Sequence, residues 1–129
     1  PVNVAAMDDR IFYTTTTAGA STVRKVRFAY NPACGGETFV ADAGYTNPSG
    51  IGTLSTPIIN FLGLTPATRF IYAGSSDGNL YKIDPVSGAV LLSRTVNAGF
   101  TIGDPSLDVD LGKLYVGDTQ GRIYSFDVF

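Results

Sequence analysis

The chain has 129 residues, a formal net charge of −2 and a pI near 4.8, so it holds no surplus of Lys and Arg to neutralise phosphates, and nucleic acid is not expected as a partner. Hydrophobic residues reach 44% and charged ones 16%, a balance that packs one core and suits one domain or part of one. No apolar run approaches the roughly 18 residues that span a bilayer, so no transmembrane segment is expected, and the single cysteine, Cys34, excludes an internal disulfide.

In chain order, the first predicted unit covers residues 1–41. Pro1-Val2-Asn3-Val4 reads as a lead-in strand, Arg10-Ile11-Phe12-Tyr13 as the start of a hairpin, and Ala18-Gly19-Ala20-Ser21 as its turn. A return strand over 22–30 follows, and beyond Cys34-Gly35-Gly36 a fourth over 37–41. The start at Pro1, without an initiator Met or a signal-peptide pattern, predicts residues upstream.

The second unit covers 56–96. It opens with Thr56-Pro57-Ile58-Ile59-Asn60, then a Gly63-Leu64-Thr65-Pro66 turn, then the hairpin of residues 69–84. Gly78 sits at the hairpin turn, where positive φ is needed. Asp84-Pro85-Val86-Ser87-Gly88 forms a second turn, with Asp to bond the backbone, Pro to set φ and Gly88 to close it. A further strand covers 89–96.

The third unit covers 105–129 and repeats the second. Residues 112–127 align without a gap on 69–84 at a constant offset of 43, that between Ile71 and Leu114, and Gly121 falls on Gly78. Its lead-in is Asp104-Pro105-Ser106-Leu107-Asp108, and no counterpart of the 89–96 strand follows before Phe129. A period in the low forties with short apolar strands and glycine turns predicts an all-β fold of about three four-stranded propeller-type blades, with strands of each blade buried on both faces by their neighbours. Tyr13, Tyr72, Tyr81, Tyr115 and Tyr124 recur along these units and are expected to fill the core between blades.

The stretch Ile71-Tyr72-Ala73-Gly74-Ser75-Ser76-Asp77-Gly78-Asn79-Leu80-Tyr81-Lys82-Ile83-Asp84-Pro85-Val86-Ser87-Gly88 resembles the quinoprotein (PQQ)-like propeller repeat, and is also similar to the propellers of pilus-tip adhesins. The resemblance implies an incomplete, C-terminal part of a β-propeller from an extracytoplasmic bacterial protein. A quinoprotein enzyme of this kind uses Trp stacking, a vicinal cysteine pair and calcium, whereas this chain has no Trp and one Cys, so no cofactor is expected.

The chain has no His, which closes imidazole general-base, Ser-His and His-zinc chemistry. Cys34 has no basic neighbour in sequence to lower its pKa. Asp104, Asp108 and Asp110 share parity and, on one strand, would offer oxygens to Ca²⁺, although turn capping explains the same residues. Arg24-Lys25-Val26-Arg27 splits its charges over two faces and reads as a solvated strand.

The expectation is therefore a non-catalytic structural or interaction module whose exposed β-edges are covered by a protein partner or by further copies of itself. A surface filament or pilus-associated adhesin subunit is one alternative. A fragment of a quinoprotein-like oxidoreductase is the other.

Overall fold

The computed structural model of the protein describes residues 2–3, 10–31, 33, 35–42, 44–46, 48, 50–60 and 69–128. These form eleven strands and no helix, arranged as three antiparallel sheets in which every strand pairs with its sequence neighbour. Sheet I holds β1 (Val2–Asn3), β2 (Arg10–Thr17), β3 (Ala20–Asn31) and β4 (Gly36–Ala41). Sheet II holds β5 (Ile58–Asn60), β6 (Phe70–Gly74), β7 (Asn79–Ile83) and β8 (Val90–Thr95). Sheet III holds β9 (Ser106–Asp108), β10 (Lys113–Gly117) and β11 (Ile123–Asp127). Pro1, Val4, Cys34 and the turn of residues 63–66 lie outside the described residues.

The turns follow from local chemistry. Ala18 and Gly19 have φ of 51° and 80°, which makes the β2–β3 connection a two-residue turn of the kind that matches strand twist. That turn is shorter than the four residues expected, so β3 starts at Ala20. Gly78 (φ 88°) and Gly121 (φ 80°) occupy equivalent turns: Gly78 N–H donates to Ser75 O at 3.2 Å and Gly121 N–H to Asp118 O at 3.1 Å. In the 84–88 turn the Asp84 carboxylate accepts from Val86 N–H at 2.9 Å and from Ser87 Oγ at 2.6 Å. Gly88, at φ 80°, then donates its N–H to Asp84 O.

The sheets stack in chain order, and strand pleating divides one apolar run between two cores. Each sheet has a forward face, toward the next sheet, and a rear face. Phe12 and Val23 on the forward face of sheet I pack with Ile59, Ile71, Ala73, Tyr81 and Ile83 on the rear face of sheet II. Tyr72 and Leu80, with the partly buried Ile58 and Phe70, form the forward face of sheet II. They pack with Leu114, Val116, Leu107, Tyr124 and Phe126 on the rear face of sheet III. Strands β6 and β7 of sheet II are thus covered on both sides, which is why they are apolar without strict alternation. Each fully buried Leu, Ile or Tyr there contributes roughly 1.5–3 kcal/mol.

Pairing register identifies equivalent positions more securely than the sequence alignment did. Phe12 pairs with Val2, Tyr72 with Ile58 and Tyr115 with Ser106, so Phe12 is the counterpart of Tyr72 and Tyr115. The expectation that Tyr13 belongs to that series is corrected: Tyr13 lies one residue on and points to the rear face. Val23, Leu80 and Ile123 form a second series, opposite Thr14, Gly74 and Gly117.

The segments before β5 and β9 bind their own hairpins in the same way. Ser55 N–H donates to Gly74 O at 2.8 Å and Gly103 N–H to Gly117 O at 2.9 Å. Two further bonds join sheets II and III: Ile102 N–H to Ser75 O at 2.9 Å, and Thr56 N–H to an Asp104 carboxylate oxygen at 2.8 Å. Strands β5 and β9 approach one another.

Candidate functional site

The structure separates the three carboxylates considered for calcium. Strand β9 spans Ser106–Asp108 alone, so the shared strand parity of Asp104, Asp108 and Asp110 does not form. Asp104 caps Thr56 N–H, Asp108 accepts from Leu111 N–H at 3.0 Å, and Asp110 lies in the exposed turn between β9 and β10. Among the described residues no group of three His, Cys, Asp or Glu side chains is placed to hold a metal ion.

The turn carboxylates instead hold tyrosines. Tyr81 donates its hydroxyl to Asp77 at 2.5 Å, and Tyr124 donates to Asp118 at 2.9 Å. The two tyrosines are 43 residues apart, but their acceptors are not equivalent: the residue matching Asp118 is Ser75. Loss of water around Tyr81, reinforced by the negative Asp77, pushes its phenol up to about 12. Burial works against ionisation of Asp118, yet hydrogen bonds from Asn97 Nδ2, the Arg122 and Gln120 amides and Tyr124 outweigh it and hold its carboxyl at about 2. Because Asn97 lies beyond β8, this bond also ties sheet II to the turn of sheet III.

The basic cluster on β3 is less solvated than its sequence suggested. Lys25 is only 12% exposed, its ammonium 3.0 Å from Asp42 and lying over the rings of Phe12 and Tyr45. Arg10 reaches the same carboxylate at 2.8 Å. Desolvation opposes ionisation of Asp42, and the two cations more than offset it, so its pKa falls below the ordinary value. Tyr45 is shifted upward by burial and by the negative Asp84, and its buried hydroxyl has no hydrogen-bond partner among the described residues. A cleft of about 410 Å³ beside sheet I is lined by the rear-face residues Tyr13, Arg24, Val26 and Ala41 and also by Lys25, Asp42 and Tyr45 of the ion cluster.

The edge strand β8 carries the least ordinary surface. All six residues of β8 are exposed, and Val90, Leu91 and Leu92 are adjacent to one another in sequence, with exposed Val86 just before them. Strand β8 is the edge of sheet II, so its outward N–H and C=O groups have no strand partner among the described residues. A bulge between Lys82 and Ile83 leaves Leu91 without a cross-strand residue. Hydrophobic patterning found this strand but not its exposure, because an outer strand and an inner one are equally apolar in the sequence.

In comparisons with protein-family models, curated proteins and solved structures, nothing matches the chain.

Proposed function

We propose that the chain is a non-catalytic structural and interaction module of propeller type, whose apolar rim docks another protein chain. The exposed strand β8, whose outer edge has no strand partner among the described residues, carries this reading. An edge of three consecutive large aliphatic residues is a template for strand addition, in which the partner supplies main-chain hydrogen bonds and apolar cover. The propeller reading is supported by the 43-residue period, by sheets stacked face to face, and by inner strands β5 and β9 that converge while β8 stands free. The resemblance of residues 71–88 to quinoprotein-like and adhesin repeats supports an extracytoplasmic setting.

Light scattering on size-fractionated material tests the rim directly. The wild-type chain is expected to run above its 13.6 kDa mass as concentration rises. The Leu91→Lys/Leu92→Lys double variant should associate less while melting at the same temperature, since both positions face water in the isolated chain. A wild type that stays monomeric at every concentration, or a double variant that associates equally well, overturns the proposal.

A further inference from the structure

We infer that the stack is polar and that a second copy of this chain adds head to tail, the forward face of sheet III in one copy seating on the rear face of sheet I in the next. This rests on the interaction reading above but uses a different surface from the β8 rim.

The argument is continuity with an interface the chain already makes twice. At the I–II and II–III contacts the forward face brings an aromatic residue and a branched aliphatic at fixed register positions: Phe12 with Val23, then Tyr72 with Leu80. Sheet III repeats the pair as Tyr115 and Ile123, and there the aliphatic residue is 79% exposed where Leu80 is 0%. The receiving side repeats as well. Ile71, Ala73 and Ile83 on sheet II and Leu114, Val116 and Phe126 on sheet III correspond in register to Ile11, Tyr13 and Val26 on sheet I. Those three are only partly buried, and Tyr13 and Val26 line the open cleft. Arg24 stands there at the register position of Tyr81 and Tyr124. An incoming Tyr115 ring would meet its guanidinium in a ring–cation contact of the kind Arg94 makes with Phe126 across the II–III contact at 4.4 Å, with the roles of the two faces exchanged.

The two open faces differ from each other and match in sequence of shapes, so the contact is heterologous and does not pair like with like. It is also weaker than the internal contacts. Ser106, Lys113 and Ser125 replace Ile58, Phe70 and Lys82 on the forward face, and Lys113 is paired with Asp127. That polar border lets sheet III stand in water when no second copy is bound.

Sedimentation equilibrium in the Leu91→Lys/Leu92→Lys background isolates this contact from the rim. Residual association should appear as concentration approaches roughly 1 mM. Ile123→Lys, which blocks the forward face, should abolish it, and so should Ala41→Lys or Tyr13→Lys, which block the rear face; Ala41 is exposed, so its variant folds even if Tyr13→Lys does not. An equimolar mixture of a forward-blocked and a rear-blocked variant should then restore a species of twice the 13.6 kDa chain mass, since one good contact is available between them. Absence of residual association overturns the inference and leaves the rim proposal standing on its own test. Loss with Ile123→Lys but not with either rear-face variant overturns it in favour of a symmetric III–III contact. Failure of the mixture to associate overturns it as well.

Discussion

Sheets II and III are built from the same hairpin, yet matching residues live in different surroundings. Leu80 and Ile123 sit at the same register position after the same glycine turn, one sealed from water and the other almost fully in it. Tyr72 and Tyr115 differ in the same direction. The repeat specifies which residues share a face, because that follows from pleat and turn. It does not specify whether the face is covered, because that depends on having a neighbour. The energetic weight of a residue in such a stack is therefore a property of its place as much as of its type.

Paired substitutions test this difference, beginning with the largest effect. Leu80→Ala should lower stability by about 3 kcal/mol in urea titration, from lost burial and the cavity left between sheets II and III. Ile123→Ala at the matching position should change it by less than about 0.5 kcal/mol. Equal losses at the two sites would mean that the forward face of sheet III is covered in the isolated chain. The glycine turns come next. Gly78→Val strains a positive φ and also drives its new Cβ into the Asn97 backbone, whereas Gly121→Val has open space and pays for the φ alone. About 2 kcal/mol or more is expected at the first and about 1 kcal/mol at the second, and equal losses would mean that the Asn97 segment moves away at no cost.

The tyrosine hydroxyls give a smaller contrast. Tyr81→Phe takes from the exposed turn carboxylate Asp77 the donor supplied by the buried Tyr81 ring and should cost about 1 kcal/mol. Tyr124→Phe should cost less, because Asp118 keeps three other donors. The same carboxylates set the acid limit. Asp77 and Asp118 are held below the ordinary value of 3.8, Asp118 at about 2, so the unfolded chain binds protons first as pH falls. Stability is complete above pH 3.8 and declines toward pH 2, and Asp118→Asn should make that decline in melting temperature shallower. Lys113→Ala is the smallest change: its pair with Asp127 is open to water, so the melting temperature should not move.

Much of this fold was legible because its signals are local. The 43-residue offset located both hairpins, Gly78, Gly88 and Gly121 marked turns that do require positive φ, and the Asp84-Pro85 turn closed as its residue types predict. What escaped depends on pairing across distance. Nothing in the spacing of Arg10, Lys25 and Asp42 announces a shared ion cluster, and Lys25 looked solvated because strand parity says which face a residue takes but not what covers it. The acceptors of Tyr81 and Tyr124 were hidden for a related reason: Asp77 and Asp118 come from different positions of the repeat, so alignment sets them apart while the folded turn brings each within reach. The rim strand β8 was placed within one residue at each end, and its exposure came only with the structure.

Each strand pairing with its sequence neighbour has a kinetic consequence. Every sheet can close through short loops, so the entropy of bringing strands together is small and each sheet is an independent starting point for folding. The slow event is then the docking of preformed sheets, and the order of docking is unequal. Sheet II takes part in both internal contacts, and sheets I and III in one each. A substitution that delays sheet II withholds the surface on which both others condense, whereas one confined to sheet III leaves sheets I and II able to join at their normal rate.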